Sequence, residues 1–103
     1  MKLSEEEVRE LRRIKKILRE LSREEYLALR YIYENISVGE ILAERDLYYH
    51  HHIQKPDLVL RKLRERGLIE RGEGCYNLAK PLRLLRKKIQ SFYELIKLID
   101  KLY

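Results

Sequence analysis

The chain has 103 residues, with 23 Lys and Arg against 17 Asp and Glu, a formal net charge of +6 and a single cysteine. That length suits one domain with a modest core. One thiol excludes an intrachain disulfide or a cysteine metal cluster, and no apolar run approaches the ~18 residues of a membrane span. The basic excess favours a polyanionic partner. Met1-Lys2-Leu3 runs straight into a charged stretch with no signal-peptide pattern, so the expected location is cytoplasmic and nucleoid-associated. Abundant Glu, Lys, Arg, Ile and Tyr, few amides and no threonine form a pattern that thermophile proteins favour.

Within the first forty residues three Ser-x-x-Glu motifs, Ser4…Glu7, Ser22…Glu25 and Ser37…Glu40, have the spacing of capping boxes. Each carries a hydrophobic staple: Leu3 with Val8, Leu21 with Tyr26, Ile36 with Ile41. They predict helices opening at 5, 23 and 38. The first, over 5–20, has Val8, Leu11, Ile14, Leu18 and Leu21 on one stripe, widened by Ile17, and needs a partner surface. The second, over 23–34, is apolar around much of its girth and reads as central. Ile36 is expected to make a minimal edge strand, and the third helix, over 38–44, to pack Ile41 and Leu42.

Residues 45–56 admit two readings. Pro56 suits the first turn of a helix over 56–66, leaving 47–54 as a long turn or an extra helical turn. Alternatively one helix starts near Leu47 and is kinked at Pro56, at a cost of ~3 kcal/mol for an interior proline. Gly67 ends the basic helix. Leu68–Arg71 and Cys75–Leu78 then alternate as strands around Gly72-Glu73-Gly74, with Ile69, Tyr76 and Leu78 facing inward. From Pro81 to the C-terminus, Leu82, Leu85, Ile89, Phe92, Ile96, Ile99 and Tyr103 keep heptad spacing. A second row, Ser91, Leu95, Leu98 and Leu102, makes that face too broad for one small domain to cover. A coiled-coil homodimer interface is therefore expected there, helped by Leu11 and Leu18 of the first helix.

Residues 37–79 thus order a short helix, a basic helix ended by glycine, and two strands around a glycine-flanked tip. This resembles the winged helix-turn-helix DNA-binding domains of MarR and PadR-like transcription regulators. The nearest cue is residues 60–69 followed by Tyr76-Asn77-Leu78, and the nearest match in scale is to small archaeal, plasmid-borne or viral regulators. The flanking helices resemble that family's dimerisation helices. The resemblance implies a mainly α fold with a small β-hairpin wing: a winged helix-turn-helix with long N- and C-terminal dimerisation helices. One domain, 1–103, would comprise an N-terminal helix (1–21), the winged core (22–79) and a C-terminal dimerisation helix (80–103). The chain is shorter than that family's members, with no room for their ligand pocket, and its crossing between the two helices is longer.

The expected function is then a homodimeric, sequence-specific regulator of transcription on double-stranded DNA. Lys55, Leu58, Arg61 and Lys62 would face the major groove, with Gln54 near the helix start able to read adenine. Arg71 would reach a phosphate or the minor groove. Tyr48, Tyr49 and His52 would border the groove and bond phosphates. Blander readings stay open beside these: a solvated helix in a protein-binding domain, a plain tight hairpin, and Tyr48 or Tyr49 in the core with Ile53. Adjacent His50, His51 and His52 point in different directions, which argues against a metal site. No catalytic motif is present, and neither a cofactor, a small-molecule ligand nor a membrane is expected. Two other functions remain: a low-specificity DNA-packaging or partition protein, and a winged-helix protein-interaction module.

Overall fold

Serine caps open the first two helices as their spacing predicts. In the computed structural model, which describes residues 2–102, α1 spans Glu5–Glu20 and α2 spans Arg23–Glu34. The Ser4 and Ser22 hydroxyls accept from the amides of Glu7 and Glu25, and both glutamates accept from the cap amide in return. The third motif does not cap. Ser37 takes a left-handed φ of 61°, and Val38–Gly39 form a short strand, β1. The next helix, α3 (Glu40–Tyr49), starts two residues later than expected with Gly39 as an N-cap that offers no side chain. Pairing of β1 with a distant strand claims the residues the helix would have used, and it also moves the edge strand from Ile36 to Val38.

Helix α3 runs five residues past its predicted end, so the extra helical turn is the form residues 47–49 adopt. His52 then turns left-handed (φ 57°), and the Ile53 amide donates to the Leu47 carbonyl at 3.0 Å, which tucks Ile53 into the core. Helix α4 (Pro56–Glu65) begins on its proline, where the missing N–H goes unneeded. It ends in a Schellman motif: Gly67 has φ +75°, its amide donates to Arg64, and the Leu68 amide donates to Leu63. Strands β2 (Ile69–Arg71) and β3 (Cys75–Leu78) follow. The three strands form one antiparallel sheet in the order β1-β3-β2, with Val38 opposite Tyr76 and Ile69 opposite Leu78. The fold is mainly helical with this small sheet.

The C-terminal region departs most from expectation. It is two helices, α5 (Lys80–Lys88) and α6 (Phe92–Asp100), separated by a break at Ile89. The end of α2 builds that break. The Tyr33 hydroxyl donates to the Ile89 carbonyl, the Glu34 carboxylate accepts from the Phe92 amide at 2.7 Å, and the Arg86 guanidinium donates to the Tyr33 carbonyl at 3.0 Å. The Ser91 hydroxyl caps α6 by accepting from the Glu94 amide. Phe92 sits edge-on to Tyr26 and Tyr33, with ring centroids 5.4 and 5.6 Å apart.

This geometry corrects the coiled-coil dimer seam. Leu82, Leu85, Ile89, Phe92 and Ile99 lie in the chain's own core, as does Leu11 of α1, and Leu18 and Ile96 pack half-buried against it. Tyr103 lies outside the described residues. The broken helix folds back on α1 and α2, so the chain covers intramolecularly the stripe that a straight helix would have offered to a second copy.

Candidate partner-binding surface

Helix α3 is apolar on two opposite sides. Ala43 and Leu47, one turn apart, face the core and are fully buried. Ile41, Leu42, Tyr48 and Tyr49 point the other way, with Ile41 76% and Tyr49 66% exposed. The spacings 41-45-48 and 42-45-49 put Arg45 in the middle of this outer face. Tyr48 and Tyr49 meet edge to face at 4.9 Å. The face holds two open depressions: one lined by Ile41, Glu44, Arg45, Tyr48, Tyr49 and Pro56, the other by Leu42, Arg45, Asp46, Tyr49 and His50. On the neighbouring α4, Leu58 is also exposed. Five of the seven large exposed apolar side chains among the described residues thus fall on α3 and α4; the others are Leu84 and Tyr93. Single exposed apolar residues are ordinary, but a cluster marks an interaction surface.

The charges around this face divide into engaged and free. Glu40, in the first turn of α3, accepts a two-pronged contact from Arg71 at 2.6 and 3.0 Å, so the hairpin arginine is clamped to the helix. Asp46 accepts from the Tyr31 hydroxyl at 2.6 Å and lies 3.9 Å from the His50 imidazole. Burial, with the Asp46 carboxylate second, pushes the Tyr31 phenol well above its ordinary value. Burial also raises the Glu44 carboxyl; Glu40 and Asp57 push the same way and Arg71 opposes them. Arg45, Lys55, Arg61 and Lys62 make no ion pair among the described residues.

The residues singled out from sequence separate into three groups. Gln54, Lys55, Leu58, Arg61 and Lys62 lie exposed on α4 and its lead-in, and His52 is exposed in the preceding turn. Tyr48 and Tyr49 are both outside the core, while Ile53 is inside it. Arg71 is held by Glu40. Just past the end of α4, Arg66 pairs with buried Glu25 at 2.9 Å and with Glu20 at 3.5 Å. Burial pushes the Glu25 carboxyl up, but the Ser22 amide, Arg66 and the Ser22 hydroxyl outweigh that and hold it below the ordinary value. Among the described residues no group of three or more His, Cys, Asp or Glu is placed to hold a metal. No helix is long and apolar enough to cross a membrane.

Sequence reasoning missed Ile41 and Leu42, which it assigned to packing; both are exposed because the rest of the chain covers only the Ala43–Leu47 side. A signal was present. Positions 41, 42, 43, 47, 48 and 49 are all apolar or aromatic, more than one side of a ten-residue surface helix can bury.

These features define a small, mainly helical protein with a three-stranded antiparallel sheet and an apolar helix face left in solvent. Residues 22–84, well over half of the chain, match the family described as PolB1 Binding Protein 2, and the chain belongs to that family. The matched segment includes α2, α3, α4 and the whole sheet. No curated protein matches the chain. A family named for binding a protein overturns the expected sequence-specific, DNA-binding regulator of transcription, and with it duplex DNA and a second copy as partners. The α3 face agrees with that correction, since duplex-binding surfaces are more polar and more basic than protein-binding ones. The groove-contact roles expected of Gln54, Lys55, Leu58, Arg61, Lys62, Arg71, Tyr48, Tyr49 and His52 lapse with it.

Proposed function

We propose that this protein is a non-catalytic accessory factor that binds PolB1, DNA polymerase B1, through the outer face of α3. The observation that carries the reading is the exposed cluster of Ile41, Leu42, Tyr48 and Tyr49, inside the segment shared with a family named for PolB1 binding. Aromatic side chains of this kind dominate protein–protein hot spots, and Tyr anchors bury much area at little entropic cost. Of the functions open to the sequence, the protein-interaction module fits both observations.

The same proposal extends to the fold. The order α2, β1, α3, α4, β2, β3 supports a winged-helix arrangement of the kind seen in MarR and PadR-like regulators, here used for protein recognition. Its helix α3 would offer an apolar outer surface, while the exposed face of α4 stays largely charged.

The test is direct titration of PolB1 with wild-type protein and with an Ile41→Asp/Tyr49→Asp double variant. Hot-spot truncations of ≥2 kcal/mol imply a loss of about 30-fold or more in affinity. Both positions are exposed, so the circular dichroism spectrum and Tm should stay close to wild type. Equal binding by the variant removes α3 as the site, and no binding by the wild type removes the function.

A further inference from the structure

The outer face of α3 has one charged side chain common to both of its depressions, Arg45. It is exposed and makes no ion pair among the described residues. Two carboxylates of the helix are otherwise engaged, while Glu44 makes no hydrogen bond or ion pair among the described residues. Asp46 holds the Tyr31 hydroxyl, and Glu40 holds Arg71. Glu44 lines only one depression, and its charged neighbours are Glu40, Asp57 and Arg71. A guanidinium placed between apolar anchors loses water when a partner covers them, and such a cation is tolerated only if the partner supplies an anion.

We infer that the segment of PolB1 seated on α3 is acidic and flanked by apolar residues: a carboxylate meets Arg45 while apolar side chains fill the depressions beside Ile41 and Leu42. This rests on the reading of the α3 face as the PolB1 surface. Arginine suits the role because its planar fork meets a carboxylate through two parallel bonds, which lysine cannot reproduce. Exposed Lys55, Arg61 and Lys62, on and before α4, make no ion pair among the described residues, and the chain's net charge of +6 favours approach of an acidic segment.

The experiment measures PolB1 affinity for Arg45→Ala, Arg45→Lys and Arg45→Glu, each across a range of salt concentrations, with Ile41→Asp/Tyr49→Asp alongside. Arg45→Ala should weaken binding about 30-fold or more, as truncating one partner of a covered charge pair does, and flatten the salt dependence. Arg45→Lys should recover part of the loss, and Arg45→Glu should be weakest. All three should melt like the wild type, because Arg45 is exposed and holds nothing in the fold.

If Arg45→Glu binds as well as wild type while the Ile41/Tyr49 variant fails, the face is the site but its partner is not acidic, and this inference alone falls. If every variant binds equally, the face is not the site and both readings fall; both fall equally if the wild type does not bind PolB1. Sedimentation adds one further outcome. Self-association of the wild type that is lost in the Ile41/Tyr49 variant would seat a second copy on the face and overturn the inference.

Discussion

Helix α3 and the α5–α6 pair both carry wide apolar surface, and they come to opposite ends. In the C-terminal pair, an apolar stripe wide enough to suggest a dimer is closed within one chain. The helix breaks at Ile89 and returns, and Leu82, Leu85, Phe92, Leu95 and Ile99 all enter one core. In α3, residues that read as core stay in water, because the rest of the chain reaches only Ala43 and Leu47. Periodicity states that a stripe needs covering. Whether the cover comes from the same chain or from a partner depends on where the chain turns.

The sharpest test of that contrast is a matched pair of truncations. Phe92→Ala, inside the closed seam and against Tyr26 and Tyr33, should lose about 3–5 kcal/mol in urea unfolding. Tyr49→Ala, on the open face, should stay within about 0.5 kcal/mol of wild type. A mild Phe92→Ala that instead altered particle size in sedimentation would return the seam to an interface and break the comparison.

The next effect comes from the one buried carboxylate among the described residues. Arg66→Ala leaves Glu25 buried with a partner missing and should cost about 1–3 kcal/mol. Because the folded value of Glu25 is depressed, its stabilising contribution is present above the ordinary value of 4.5 and disappears as pH falls through the folded value. The gap between wild type and Arg66→Ala should therefore narrow in acid. A gap of constant size from pH 7 to pH 3 would mean that Arg66 acts by packing alone.

Smaller again is the contrast among serines in the same local motif. Ser22→Ala should cost about 1 kcal/mol as a lost N-cap. Ser37→Gly loses only an exposed 3.3 Å bond from the Asn77 side-chain amide and should come out neutral or gain up to about 1 kcal/mol, since glycine relieves the left-handed backbone. Equal losses at both sites in thermal unfolding would contradict the turn at Ser37.

The smallest expected change lies at the edge of the α3 face. Glu44 has a folded value raised above its unfolded one, so the ionised form present at neutral pH weighs against the fold. Glu44→Gln should raise Tm slightly at pH 7, and the gain should vanish at pH values low enough to protonate Glu44 in both states. A drop in Tm at both pH values would show that the carboxylate makes a contact the fold needs.

Much of the helical frame was legible locally. Ser4…Glu7, Ser22…Glu25, Pro56 and Gly67 each set a helix end through bonds to neighbours at most a few residues away. Ser91…Glu94 carries the same serine–glutamate spacing and does open α6, but a seven-residue repeat running across it concealed the break. Ser37…Glu40 carries it as well and caps nothing. A cap contributes only about 1 kcal/mol, so strand pairing and burial can outweigh it. The α3 face was not read as such from sequence: Tyr48 and Tyr49 were expected to border a DNA groove or, for one of them, to enter the core, whereas both are exposed, and Ile41 and Leu42 were placed inside.

What the chain determines by itself, then, is where α1, α2 and α4 begin and end, the two strands of the β2–β3 hairpin, and the inward faces of α1 and α2. These follow from short-range capping, turn chemistry and amphipathic spacing. The tertiary structure alone decided the break at Ile89, the pairing of β1 with β3, the clamp of Arg71 on Glu40 and the exposure of the outer α3 face. Each of these depends on groups tens of residues apart. Tyr33 meets Ile89 and Glu34 meets Phe92 on the two sides of the break, Glu40 meets Arg71, and Val38 meets Tyr76. Burial energy is set by which surfaces the folded chain brings together, and that geometry is absent from any local stretch of sequence.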